Sequence, residues 1–111
     1  MRRGTTPTNR FTTKLDLRDA EEAYMSYAQD EEVVFEKTLE DFVIEEIDDP
    51  CGEEGSKKFL IKIKLTQQET LALNIEEPVE IQCRAKFPDD SAPASGIIKV
   101  PVERIIKEGV I

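Results

Sequence analysis

The sequence predicts an all-β fold, a small antiparallel sandwich with one short helical turn, and three observations carry that reading. From Phe59 to Leu65 the chain alternates, with Phe59, Ile61, Ile63 and Leu65 on one face and Lys62 and Lys64 on the other. From Pro78 to Phe87 it alternates again, setting Val79, Ile81, Cys83, Ala85 and Phe87 against Glu80, Gln82, Arg84 and Lys86. Between such runs stand turn residues at short spacing, as in Asp48–Asp49–Pro50 and Pro88–Asp89–Asp90–Ser91.

Taken in order, Phe11, Thr13, Leu15 and Leu17 alternate with polar neighbours and predict a first strand. Asp19 to Gln29 is ambiguous in itself: Ala20, Ala23, Tyr24 and Tyr27 fit a helical stripe, while Tyr24 to Tyr27 favours a strand. Gln29–Asp30–Glu31 reads as a hairpin turn into Val33, Val34 and Phe35, with a further strand at Phe42, Val43, Ile44 and Ile47. DDPCGEEGSKK, residues 48 to 58, is a loop broken by Pro50, Gly52 and Gly55. After Leu65, Thr66 stands three before Glu69, the spacing of a capping box, and predicts a turn or two of helix through Leu71. Ile98, Val100 and Val102 make a last strand, and Pro101 within it, unable to donate to a ladder, argues for an edge position or a bulge. Such a series of short strands suggests a sandwich of immunoglobulin-like type; with no tryptophan, the antibody arrangement around a buried Trp is excluded. The expected core includes Phe11, Leu15, Phe42, Leu71, Ile81 and Ile98. A small mixed α+β domain is the alternative should Asp19 to Gln29 be helical.

At 111 residues, 39% hydrophobic and 35% charged, the chain suits one globular domain. The expected organisation is an extended N-terminal arm over residues 1–8 and a single sandwich over residues 9–111. Apolar runs are three or four residues long, too short to span a membrane, and no apolar stretch follows Arg2 and Arg3 as a secretory signal requires. Residues 1–17 carry +3, residues 18–57 carry −12, and the remainder balances, giving −9 in all. An acidic body repels phosphate backbones, which argues against nucleic-acid binding by it.

The residue set also argues against an enzyme. There is no histidine, hence no imidazole base, and the glycines of GEEGSKK lack phosphate-loop spacing. Adjacent carboxylates such as Glu21–Glu22 and Glu45–Glu46 read as solvated faces. No catalytic residue, cofactor or small-molecule substrate is assigned. Asp48, Asp49, Glu53 and Glu54 gather oxygen ligands around two glycines and are candidate Ca²⁺ ligands, although their spacing is not that of an EF-hand. Cys51 and Cys83 are expected to be free thiols, with Arg84 on the opposite strand face from Cys83.

Five segments carry a resemblance: MRRGTTPT at residues 1–8, FEKTLED at 35–41, KLTQQETLAL at 64–73, VEIQCRAKF at 79–87 and VPVERIIKEGVI at 100–111. In these the chain resembles a family of small proteins encoded in phages and prophages of Gram-positive gut bacteria, among virion structural genes. It departs from shorter members in the loop at 48–58. The resemblance favours a strand over Glu22 to Gln29 and implies a virion or assembly component without catalytic residues. Such a component resides in the cytoplasm of the producing cell and, once assembled, in the virion. Its partners would be other virion proteins or copies of itself. The arm has no apolar stripe and is expected to stay off its own domain, free to dock on a neighbour. The tail residues Ile105, Ile106, Val110 and Ile111 either fold back on the core or form a patch for a partner. Arg2, Arg3, Thr5, Pro7, Ile106, Val110 and Ile111 are the expected partner contacts. Two further functions fit the composition: a carbohydrate- or Ca²⁺-dependent surface-binding module, and an acidic inhibitor that mimics nucleic acid.

Overall fold

The alternating segments form seven strands in the computed structural model, which describes residues 1–111. They are β1 (Thr8–Thr13), β2 (Glu22–Gln29), β3 (Glu32–Thr38), β4 (Phe42–Asp48), β5 (Lys57–Lys64), β6 (Val79–Lys86) and β7 (Ile98–Val100). One short helix, α1 (Gln67–Leu71), lies between β5 and β6. Two antiparallel sheets result, ordered β1-β5-β4 and β3-β2-β6-β7. The chain forms an all-β sandwich.

Burial follows the alternation most closely in the central strands, which have neighbours on both sides. Ile61 and Ile63 of β5 pack toward Met25 and Tyr27 of β2 and toward Val79 and Ile81 of β6, all nearly inaccessible. The ambiguous stretch at 19–29 divides: Leu17–Asp19 makes a 3-10 turn and Glu22–Gln29 is strand. Position decides between the two, because β2 lies between β3 and β6 and satisfies its backbone groups on both edges. Asp30 and Glu31 adopt φ of 50° and 64°, the left-handed conformation that a two-residue hairpin requires. The ladder slips by one residue between Tyr27 and Ala28, so β3 bulges at Val33–Val34 and its later residues change face. Lys37 therefore points inward, opposite Met25.

The helical turn forms where the capping box lies. Thr66 Oγ1 accepts from the Glu69 amide at 3.2 Å, and Glu69 Oε1 accepts from the Thr66 amide at 2.8 Å.

Three expectations are corrected. The first strand ends at Thr13 rather than running through Leu17, because Thr13 Oγ1 takes the Leu15 amide at 3.1 Å and Asp16 takes the Arg18 amide at 3.1 Å. Those local bonds turn the chain and leave Leu15 45% exposed. Ile98, expected in the core, is 49% exposed because β7 is a three-residue edge with nothing beyond it. The arm does not stand free either: Thr8 already belongs to β1, and residues 1–7 are bonded to their own domain.

Edges set the surface. β3 runs into β4 through the three-residue corner Leu39–Asp41, which places these two edge strands on one side. β1 and β7 share the other side and flank an open apolar cleft.

Candidate functional site

The N-terminal arm and the C-terminal tail meet. The Arg3 amide donates to the Glu103 carbonyl at 3.0 Å and the Glu103 amide to the Met1 carbonyl at 2.8 Å, a short parallel bridge. Arg2 adds a bond to the Arg104 carbonyl at 2.9 Å and an ion pair with Glu103.

Arg3 is the pivot of this clasp. Its Nε donates to the Leu73 carbonyl at 2.7 Å and its Nη2 to the Leu71 carbonyl at 3.0 Å. These carbonyls lie at and beyond the end of α1, where the helix leaves acceptors unpaired and the local field favours a cation. The remaining nitrogen, Nη1, pairs with Glu108 at 2.7 Å. One planar guanidinium thus ties the arm to the helix and to the tail, a use of its fork that lysine could not match.

Gly4 follows with φ of 72°, and a Cβ there would stand 2.7 Å from Ile105 Cδ1. The Thr5 carbonyl accepts from the buried Thr70 hydroxyl at 2.8 Å, and the Pro7 carbonyl from the Leu65 amide at 2.9 Å. At the far end Gln67 pairs with Ile111 as one peptide does with another, Nε2 to the carbonyl at 3.1 Å and Oε1 from the amide at 2.8 Å.

The expected contact residues therefore divide. Arg2, Arg3, Thr5 and Pro7 bond within the domain. Ile106, Val110 and Ile111 are 96%, 58% and 87% exposed, on a tail whose backbone is held at Glu103 and at Ile111. Ile75, 49% exposed, lies in a shallow surface recess with Arg104, Ile105 and Glu108. Gly4, Gln67 and Thr70 belong to the clasp and were not singled out by the sequence. A glycine set in an otherwise polar arm was the one available signal for the first.

The acidic loop is dispersed. Asp48 pairs with Lys57, whose hydrogen bond holds the Asp48 carboxyl below its ordinary range. Asp49 is buried, its Oδ1 taking the Cys51 amide at 3.1 Å as part of the turn, while Glu53 and Glu54 are exposed at the tip. No three His, Cys, Asp or Glu side chains converge as a metal-binding group. Both cysteines are free: Cys51 is exposed, and burial pushes the Cys83 thiol up.

No helix is long and apolar enough to cross a membrane. The chain matches no protein-family model and no curated protein.

Proposed function

We propose that this chain is a non-enzymatic structural component of a phage or prophage particle, acting through protein–protein contacts at the surface where its two ends join. The observation that carries the reading is the tail: Ile106, Val110 and Ile111 project outward from a backbone held by Arg3, Glu103 and Gln67. Apolar side chains held outward form a patch suited to a partner, and a held segment loses less entropy on binding than a free one. The segments that build this surface, MRRGTTPT, KLTQQETLAL and VPVERIIKEGVI, are also those that carry the resemblance to phage structural proteins. In this reading Arg2, Arg3, Thr5 and Pro7 are the frame of the contact, and the tail supplies its apolar face. The protein resides in the cytoplasm until it joins the particle.

The strand order supports the immunoglobulin-like reading. If β1 is taken as strand B, the two sheets read B-E-D and C′-C-F-G, an immunoglobulin Greek key lacking its first strand.

The test replaces Ile106, Val110 and Ile111 together by serine. Exposed substitutions of this kind change stability by about 0.5 kcal/mol or less apiece, so the protein should melt nearly as before while its recovery in purified particles falls at least tenfold. Equal recovery would place the contact elsewhere.

A further inference from the structure

The two sides of the sandwich carry opposite charge, and neither belongs to the surface where the chain ends join. On the side of β1 and β7, Arg10, Lys14 and Lys99 are all exposed, with the half-buried Glu80 opposite Lys99 as the one acidic residue in the β6–β7 pairing. Arg10 and Lys99 belong to no ion pair, and Lys14 reaches Asp49 only at 3.9 Å with its side chain 82% exposed. On the side of β3 and β4, the hairpin tip and strand present Asp30, Glu31, Glu32 and Glu36, with Glu40 at the corner, again all exposed. The one lysine of β3 does not interrupt them: the bulge turns Lys37 inward to Glu69.

Each side also has an apolar element. The same bulge leaves Val33 56% exposed among the carboxylates. The opposite side opens into a cleft of about 310 Å³ lined largely by apolar residues, among them Phe11, Leu15, Cys83 and Ile98. β1 bonds only to β5 and β7 only to β6, so the strands flanking this cleft have unpaired outer edges.

We propose that the occupant of this open side is a second copy of the chain, presenting its acidic β3 edge and hairpin. Charge complementarity singles out that occupant. Proteins commonly place charges on sheet edges to prevent stray pairing, and for that purpose like charge on both edges serves, because copies then repel. Here the two edges attract. An apolar centre within a charged rim is the ordinary anatomy of a protein interface, and opposite patches orient the encounter. The contact joins two different surfaces, so each added copy leaves one free edge of each kind, and assembly continues to a ring or a filament.

The experiment uses the full chain and two neutralised variants, Arg10→Gln with Lys99→Gln and Glu32→Gln with Glu36→Gln, followed by sedimentation. In low salt the unaltered protein should gain mass with concentration, and its association should weaken at least tenfold between roughly 50 and 500 mM salt as exposed charges are screened. Each variant alone should associate at least tenfold more weakly. An equimolar mixture should form a heterodimer and stop there, because each variant keeps one competent edge. Melting temperatures within a few degrees of the parent identify any loss as loss of contact rather than of fold. An unaltered protein that stays monomeric up to about millimolar concentration in low salt overturns the proposal. So does a variant that self-associates undiminished, and so does a mixture that remains monomeric.

Discussion

Lys37, on the inner face of β3, and Glu69, in the first turn of α1, form an ion pair of 2.7 Å with side chains only 10% and 20% exposed. The pair joins the four-stranded sheet to the helical turn that follows the three-stranded one. It exists because the bulge at Val33–Val34 reverses the facing of β3, and because the capping box holds Glu69 in place. One carboxylate thus closes the helix and neutralises a largely buried cation.

The partners of this pair should respond unequally to removal. Glu69→Ala removes the reciprocal bond to the Thr66 amide, though not the Thr66 cap itself, and leaves Lys37 uncompensated, an expected loss of about 2–4 kcal/mol. Lys37→Met leaves a carboxylate that still caps the helix and has more access to water, so its cost should be smaller. Denaturant titration of both variants decides the matter, and a Lys37→Met variant less stable than Glu69→Ala would refute the assignment.

Tyr27 adds a pH dependence. It is inaccessible, it stacks on Phe35 with centroids 4.5 Å apart, and its hydroxyl has no hydrogen-bond partner. Burial, with a smaller contribution from the Glu69 charge, raises its pKa far above the ordinary tyrosine value. The folded state therefore favours the neutral phenol more than the unfolded state does. The sign follows: the contribution is complete below the unfolded value of about 10 and declines as pH rises above it. Tyr27→Phe removes an unsatisfied polar group at equal shape and should be neutral or slightly stabilising near pH 7. It should also flatten the fall in melting temperature between about pH 10 and 12. An unchanged alkaline slope would count against the buried phenol as its cause.

Much of this fold is readable in the sequence, for a physical reason that also marks the limit. β5 and β6 are central, so their alternation is enforced along their length, and FLIKIKL and VEIQCRAK report it directly. The capping box at Thr66–Glu69 is equally local. The facing of Lys37 was not readable, because it depends on a bulge that only the pairing of β2 with β3 creates. Nor was the clasp: Arg3 bonds to carbonyls of Leu71 and Leu73, groups that every residue possesses and that no side-chain pattern marks. The apolar tail was legible as exposed-or-docked but not which, since its backbone is held while its side chains are not covered.

The two thiols should differ in reactivity. Cys51 sits exposed in the acidic loop, whereas Cys83 is half-buried on the cleft and burial keeps its thiol protonated to higher pH. The thiolate is the reactive form, so a disulfide reagent at pH 7.5 should titrate one thiol rapidly and the second at least tenfold more slowly. Cys51→Ser should abolish the fast phase. Loss of the fast phase in Cys83→Ser instead would reverse the assignment.

Gly4 offers a test of the clasp that leaves every partner in place. Its φ of 72° is one that a residue with a Cβ enters at a cost of roughly 1–2 kcal/mol. The new methyl would also meet Ile105 Cδ1 at 2.7 Å, although that terminal methyl can swing aside, so backbone strain is the larger effect. Gly109, with φ of 90° and no atom within 4 Å of where a methyl would stand, is the control for strain alone in the tail. Gly4→Ala should lower stability by about 1–2 kcal/mol and speed exchange of the Arg3 and Glu103 amides, which bridge the two segments. Adding Ile105→Val removes the colliding methyl and should recover only a minor part of the loss. The exchange rates are the sharper readout, because they report the bridge itself rather than the domain. If Gly4→Ala leaves both amides as protected as before, the arm is not held by the conformation at Gly4, and the joined surface must draw its rigidity from the Arg3 fork alone.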